Sequence, residues 1–287
     1  MSLDNLSIVI VNYNTREDLR LCLTALCDCQ PLPEVIVVDN DSKDGSADMV
    51  RREFSQVVLL TPGRNTWFCG GNNLGIRAAH REYTLLLNPD TIPSQDALEA
   101  MVRFMDEHPE YAGATSQLRY PNGEIQRTCS RIPTYRYLFL TQTPLRWSLS
   151  GMRKRAEAWH WYAGWERDTD CDVEVVPGSC LLVKRNDHLL DDRLLLYFPE
   201  DDLATRMEGR KFRFLASSYI VHREKSVTRS ALATRVYFRD LIVYTRKHHG
   251  MLGAALMWLL TRSMVWGMAL RWWLRRFEKR SAAALPK

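Results

Sequence analysis

YTLLLNPDTIP, residues 83–93, is the stretch that decides the fold. Aliphatic residues occupy consecutive positions from Leu85 to Leu87, which is typical of a strand buried on both faces. Pro89 lacks an amide hydrogen and biases Asn88 away from the helical region, so the strand must end there. The stretch therefore predicts a central strand that delivers the carboxylate of Asp90 at its carboxyl end, where open α/β sheets bind ligands. Taken alone, Asn-Pro-Asp favours a plain polar turn over a metal site.

Strands and helices alternate along the chain before and after this stretch. Leu6–Val11 and Glu34–Val38 are apolar, β-branched runs that predict strands. Thr15 predicts the N-cap of a helix over Arg16–Cys27, and Ser46 predicts the cap of a helix over 47–54. Ser94 is expected to cap a helix that runs to residue 107. Further strands are expected at 57–60, 112–118, 173–176, 180–184, 212–215 and 219–221. The alternation predicts βαβ units and a mostly parallel central sheet flanked by helices.

Residues 63–75 are rich in glycine and asparagine. They lack the Gly-Lys-Ser/Thr of a P-loop and the spacing of a dinucleotide fingerprint. The asparagine amides favour a loop that approaches a ligand closely, followed by a helix over Ile76–Arg81. A plain glycine-rich turn is the alternative.

Composition narrows the class of protein. The 287 residues carry a net charge of only +5, which does not indicate nucleic-acid binding. The seven cysteines show no paired zinc spacing, so reduced thiols in a cytoplasm are expected. The first apolar run is too short for the core of a signal peptide.

The carboxyl-terminal part has a different character. Residues 250–270 are mostly apolar, interrupted by Arg262, and are followed by basic residues that alternate with Trp272, Trp273 and Phe277. This combination is typical of a membrane interface. A charged Arg262 at mid-span would cost about 2.5–3.5 kcal/mol. A monotopic or re-entrant hairpin is therefore favoured over a spanning helix or a helical cap on the core.

Two other features have open interpretations. Glu200–Asp202 are three adjacent acidic residues before an expected helix over residues 203–208. Three negative charges are more than compensation of the helix dipole requires. Residues 119–170 are expected to be irregular. The tryptophans at 159, 161 and 165 and His160 either stack on a sugar or anchor an insertion.

Seven stretches, in order, resemble the family 2 inverting glycosyltransferases with a GT-A (Rossmann-like) fold, in particular bacterial rhamnosyltransferase-like members. The stretches are Ile8–Asn14, Val37–Ser42, Asn65–Gly75, Leu87–Asp90, Pro177–Gly178, Tyr197–Leu203 and His222–Ser226. Each is a weak signal alone, but the ordered series is specific. The resemblance implies a glycosyltransferase domain over residues 1–230, with 119–170 as an acceptor-side insertion, and a membrane-associating helical segment over 231–287.

The resemblance also implies site residues. Those expected at the nucleotide-sugar donor are Asn12, Tyr13, Asp39, Asn65, Gly71, Asn73, Asn88 and Ser226. Asp90 and His222 are expected to hold Mg²⁺ or Mn²⁺ at the diphosphate. The family's acidic motif falls on residues 199–203, with Pro199 in place of the first acid, which leaves the general base open between Glu200 and Asp201.

The implied activity is a metal-dependent, inverting transfer of L-rhamnose from dTDP-rhamnose. The implied acceptor is a polyprenyl-diphosphate-linked glycan, in cell-envelope polysaccharide synthesis at the cytoplasmic face of the inner membrane. The alternatives are a galactofuranosyl or hexosyl transfer from a UDP-sugar, and an inactive nucleotide-sugar-binding scaffold.

Overall fold

The computed structural model describes residues 3–185, 189–207, 209–224 and 231–283. The side chains of residues 263, 265 and 268 onward lie outside that description. The chain forms two compact units. Unit 1 comprises Met1–Ile132, Trp161–Leu195 and Pro199–Lys225, and unit 2 comprises Pro133–His160, Leu196–Phe198 and Ser226–Lys287.

Within the described residues, unit 1 is built on a nine-stranded sheet. The strands are β1 (Leu6–Asn12), β2 (Glu34–Asp39), β3 (Val58–Leu60), β4 (Tyr83–Leu87), β5 (Thr91–Ile92), β6 (Gly113–Arg119), β7 (Cys171–Val173), β8 (Cys180–Lys184) and β9 (Phe212–His222). Their order is β3-β2-β1-β4-β8-β6-β9-β5, and β7 pairs with β9. β4 is buried along its whole length, as the YTLLL run predicts.

The sheet is mixed rather than mostly parallel. Strands β1 to β4 pair in parallel, as the alternation with helices predicts. Beyond β4, β8 runs antiparallel to both β4 and β6. The prediction of a mostly parallel sheet was wrong because the strict alternation of strand and helix ends after β6. The two runs expected at 212–215 and 219–221 form a single strand, β9, whose register with β6 shifts after Ser116.

The helices are α1 (Arg16–Cys27), α2 (Ser46–Glu53), α3 (Trp67–Ala78), α4 (Gln95–Glu107), α5 (Tyr135–Gln142), α6 (Leu145–Ser148), α7 (Ser150–His160), α8 (Pro199–Arg206) and α9 (Ala231–Ala283). Ser94 caps α4, since its hydroxyl accepts from the amide of Ala97 at 3.3 Å. Thr15 is the N-cap residue of α1, as predicted, but its hydroxyl donates to Oδ1 of Asn12 at 2.6 Å and not to the helix. The prediction for Ser46 was wrong, because Ser46 is the first residue of α2 and Gly45 is its N-cap.

The glycine- and asparagine-rich stretch is mostly helix α3, so the prediction of a loop was wrong. A methyl group at Gly75 would overlap Cγ1 of Val9, and one at Gly71 would lie 2.8 Å from Cγ1 of Val11. These two glycines therefore let α3 approach β1 closely. Tertiary packing overrides the low helix propensity of glycine here.

Residues 119–170 were predicted to be irregular, but their middle part is mostly helical, from the start of α5 at Tyr135 to the end of α7 at His160. Trp165 is an apolar anchor within unit 1, because its ring lies edge-on to Phe214 with centroids 4.9 Å apart. Trp159 is 45% exposed, and His160 stacks on Tyr137 with centroids 3.8 Å apart.

Unit 2 is helical, and α9 is broken at Gly250, whose φ of 80° and ψ of 173° are not helical. Before the break, the buried carboxylate of Asp240 accepts from the amides of Leu196 and Tyr197 at 2.9 and 3.0 Å. After the break, Met257 is buried, whereas Leu252 and Trp266 are 89% and 73% exposed. No helix among the described residues has the length and apolar character needed to cross a membrane.

Candidate active site

Polar side chains follow the parallel strands β1 and β2 where both end at the same edge of the sheet. Nδ2 of Asn12 donates to Oδ1 of Asp39 at 2.8 Å and reaches the hydroxyl of Ser42 at 3.0 Å. Oδ2 of Asp39 accepts from the amide of Ser42 at 3.0 Å. Asn12 and Asp39, both predicted to contact the nucleotide-sugar, therefore form one buried cluster. Tyr13, which follows Asn12 in the sequence, is 45% exposed.

Asn65 and a residue that was not predicted, Asn40, hold the backbone of Trp67. Oδ1 of Asn65 accepts from the amide of Trp67 at 2.8 Å, and Nδ2 of Asn40 donates to its carbonyl at 3.0 Å. Trp67 has a φ of 62°, in the left-handed region that glycine adopts without strain. Asn65 therefore helps to hold Trp67 in this conformation and shapes the loop.

Asn73 uses both ends of its amide on one neighbouring segment. Its Nδ2 donates to the carbonyl of Leu190 at 2.8 Å and also bonds to the carboxylate of Asp192, while its Oδ1 accepts from the amide of Leu190 at 2.8 Å. Gly71 packs on β1. Asn73 and Gly71, both predicted to line the nucleotide-sugar, therefore stabilise the fold. Their contact with a nucleotide stays a prediction.

The Asn-Pro-Asp turn lies beside β9. The carbonyl of Asn88 accepts from the hydroxyl of Thr91 at 2.7 Å, and Thr91 pairs with His222 across β5 and β9. This pairing brings Oδ1 of Asp90 to 3.4 Å from Nε2 of His222. Two residues 132 positions apart in the sequence thus meet at the predicted place. Ser226 lies outside the described residues.

This pair fits a divalent ion that also binds a diphosphate. A carboxylate oxygen and an imidazole nitrogen are both ligands for Mn²⁺, and Mg²⁺ is commonly held by one or two carboxylates with substrate phosphates and water. Among the described residues, no group of three or more His, Cys, Asp or Glu side chains forms a metal cluster. A divalent ion held by Asp90 and His222 would therefore need further ligands from substrate or water.

The carboxylate of Glu200, at the start of α8, lies against the backbone of Gly178. A methyl group at Gly178 would overlap Oε1 of Glu200 and would lie 2.9 Å from Cζ of Phe68. Burial raises the pKa of Glu200 to about 7, although its own amide and that of Gly178 donate to the carboxylate. A carboxylate with a pKa near neutrality is matched to general-base work.

The two neighbouring acids have different surroundings. Burial and the nearby charges of Glu200 and Asp202 raise the pKa of Asp201 to about 8. Asp202 is fully buried and forms an ion pair with Arg206 at 2.9 Å. The charge of Asp202 is therefore compensated within α8, which leaves Glu200 and Asp201 as the candidates for proton transfer.

Backbone bonds connect these clusters along one edge of unit 1. The carbonyl of Leu195 accepts from the amide of Phe68 at 3.0 Å, and the carbonyl of Ser179 accepts from the amide of Asn88 at 3.2 Å. Phe68 follows Trp67, and Ser179 follows Gly178. The Asp39, Glu200 and Asp90 clusters consequently lie on segments that contact each other along this edge.

A family model for glycosyl transferase family 2 matches residues 7–157, more than half of the chain. The chain belongs to this family. It is a glycosyltransferase similar to rhamnosyltransferases. The N-acetylglucosaminyl-diphospho-decaprenol L-rhamnosyltransferase of Mycobacterium tuberculosis is 23% identical, with 91% of each chain covered. The low-salt glycan biosynthesis hexosyltransferase Agl10 of Haloferax volcanii is 36% identical over 92 residues, which are 31% of this chain and 28% of that protein.

Solved structures share the fold. The mannosyltransferase PcManGT from Pyrobaculum calidifontis, in complex with GDP-Man and Mn²⁺, superposes with a TM-score of 0.54 at 14% identity, covering 99% of this chain and 76% of that one. TarS of S. aureus in complex with UDP gives a TM-score of 0.51 at 14% identity, covering 84% and 66%. The α/β architecture of unit 1 is thus that of GT-A glycosyltransferases.

Proposed function

We propose that this protein is an inverting glycosyltransferase that uses a divalent ion and transfers a sugar from a nucleoside diphosphate to a lipid-linked glycan. This proposal rests on the partly buried carboxylate of Glu200, whose pKa is raised. It lies on the same edge of the sheet as the Asp39 and Asp90 clusters. One base and one leaving-group site suffice for a single displacement.

Glu200 is the general base in this mechanism. Its carboxylate takes the proton of the acceptor hydroxyl while the acceptor oxygen bonds to the anomeric carbon. The bond from that carbon to the diphosphate breaks in the same step, and the configuration inverts. Asn12 and Asp39 hold the nucleoside, with Tyr13, Asn65, Gly71, Asn73, Asn88 and Ser226 as the further proposed donor residues. Asp201 is the alternative base.

Asp90 and His222 would hold Mg²⁺ or Mn²⁺ at the diphosphate. The bound ion would neutralise the charge that develops on the leaving group. The Mn²⁺ in the PcManGT complex supports this choice of ion class.

L-Rhamnose from dTDP-rhamnose is the proposed donor, and a polyprenyl-diphosphate-linked glycan is the proposed acceptor. The similarity to the mycobacterial N-acetylglucosaminyl-diphospho-decaprenol L-rhamnosyltransferase, over 91% of each chain, supports L-rhamnose as the sugar and a polyprenyl-diphosphate-linked glycan as the acceptor. Transfer of a galactofuranosyl or hexosyl group from a UDP-sugar is the second candidate, supported by the hexosyltransferase relative and the UDP complex of TarS.

We place the enzyme at the cytoplasmic face of the inner membrane, as a peripheral or monotopic protein. Unit 2 carries 17 Lys and Arg against three Asp and Glu, whereas unit 1 carries 22 against 31. The exposed Leu252, Leu259 and Trp266 lie on α9 in the basic unit. Basic residues beside exposed apolar ones suit an anionic bilayer. Residues 231–287 would be its membrane-associating segment.

A transfer assay with purified protein tests the function. dTDP-rhamnose and a panel of UDP-sugars are offered with a polyprenyl-diphosphate-linked acceptor and Mn²⁺, and release of nucleoside diphosphate is measured. Glu200→Gln should lower kcat by about 10²–10⁴-fold. Asp201→Asn and the exposed control Asp168→Asn should each lower it less than tenfold. If neither acid of the site matters, the base assignment is wrong. If the unmodified protein binds donors in a thermal-shift assay and transfers none, it is a scaffold.

A further inference from the structure

We infer that Gln126 is a positioning residue that selects the tautomer of His222, so that the unprotonated Nε2 faces Asp90. This inference rests on the proposed metal site. Gln126 lies in the expected acceptor-side insertion but was not among the predicted site residues, and its side chain is 4% exposed.

The backbone fixes the orientation of the Gln126 amide. The carbonyl oxygen of His222 can only accept a hydrogen bond, so the atom of Gln126 that lies 2.7 Å from it must be the donor Nε2. The other amide atom, the acceptor Oε1, therefore lies 2.8 Å from Nδ1 of His222. Since Oε1 accepts, Nδ1 must carry the hydrogen.

Both partners are held by their own backbone. The amide of Gln126 donates to the carbonyl of Leu118 at 2.8 Å, and His222 is paired with Thr91 across β5 and β9. His222 is 8% exposed, so little water is available to replace the amide of Gln126. An inverted amide would place its oxygen against the carbonyl oxygen of His222, and two acceptors that face each other in a buried place cannot form a hydrogen bond.

With the hydrogen on Nδ1, the neutral ring presents the lone pair of Nε2 to Oδ1 of Asp90 at 3.4 Å. Two electron-pair donors at this distance repel unless a cation lies between them. Without Gln126, the tautomer with its hydrogen on Nε2 is favoured, because Nε2 can then donate a hydrogen bond to the Asp90 carboxylate. A protonated Nε2 cannot bind a metal ion. Residues that hydrogen-bond to a metal-binding histidine commonly increase the affinity for the metal about 10–100-fold.

The tautomer is measured directly by ¹⁵N NMR of the imidazole ring in the metal-free protein, at about pH 9, where histidines are ordinarily neutral. The wild type should show the Nδ1–H form of His222. Gln126→Met removes both polar atoms and should shift the ring toward Nε2–H. Gln126→Glu keeps an acceptor at Nδ1 and should retain the Nδ1–H form.

Mn²⁺ affinity, measured by EPR without donor or acceptor, should fall about 10–100-fold in Gln126→Met and stay closer to wild type in Gln126→Glu. The Nε2–H form in the wild type overturns the inference, whether or not either variant folds. Unchanged Mn²⁺ affinity in a folded Gln126→Met also overturns it. If the wild type binds no Mn²⁺ while its ring is Nδ1–H, the metal site proposed above is wrong and the tautomer assignment stands.

Discussion

The carboxylate of Glu200 occupies the space that any side chain at Gly178 would need. This relationship explains why a Pro-Gly pair precedes β8, since a Cβ at position 178 would displace the proposed base. Cζ of Phe68 would lie 2.9 Å from the same Cβ, so the ring of Phe68 is a near neighbour of the carboxylate.

Gly178→Ala should abolish most of the transfer activity while the protein stays folded. The added methyl group must push the carboxylate of Glu200 away from its place, and a displacement of about 1 Å can cost about 10²-fold in rate. Steady-state kinetics should show a lower kcat with a nearly unchanged KM for the donor. Gly151→Ala is the matched control, because a methyl group there meets no other atom within 4 Å. Full activity of Gly178→Ala would mean that Glu200 is not the base.

Activity should fall on the acid side of neutrality. The raised pKa of Glu200, about 7, means that its carboxyl group is increasingly protonated as the pH drops through 7, and a protonated base cannot accept the hydroxyl proton. The profile of kcat/KM against pH should therefore show an acid limb near pH 7. A limb near pH 4.5, the ordinary range of a glutamate, would contradict the assignment.

The same burial predicts that the base lowers the stability of the protein. Because the folded-state pKa of Glu200 is raised, the folded state binds more protons than the unfolded state between about pH 4.5 and 7, so stability falls as the pH rises through this window. Glu200→Gln should then raise Tm at pH 8.5. The expected rise is about 2–4 °C for each ~1 kcal/mol of destabilisation that the substitution removes. At pH 4 the two proteins should unfold at similar temperatures. An equal gain at both pH values would point to packing instead of charge.

Prediction from sequence succeeded where one local signal dominates. The apolar run before Asn88 and Pro89 is β4. The resemblance to a known family, not a local signal, implied that Asp90 and His222 lie together. Prediction failed where tertiary contacts matter. The glycines of α3 pack directly on Val9 and Val11 of β1, and no local pattern in the sequence shows this packing. Gln126 was missed for the same reason, because only the pairing of distant strands reveals its partner.

The close approach of α3 to β1 gives a stability test that is independent of function. Gly75→Ala should lower the free energy of unfolding by about 1–3 kcal/mol, because its methyl group overlaps Val9. Combining it with Val9→Ala should recover part of the loss, since the smaller side chain makes room. Urea denaturation of the single and double variants measures this coupling. Additive losses would show that the two positions do not share the space.

The exposed apolar residues of α9 should determine binding to anionic bilayers. Replacing both Leu252 and Leu259 by Gln removes two leucines that are 89% and 63% exposed, and burial of a leucine is worth about 1.5–3 kcal/mol. Binding to vesicles that contain anionic lipid, measured by flotation, should weaken by more than about tenfold. Val58→Gln is the control, since Val58 is an exposed residue of the acidic unit 1. High salt should weaken the binding further, because the basic residues of unit 2 act through charge. Unchanged flotation of the double variant would exclude this face of α9 as the binding surface.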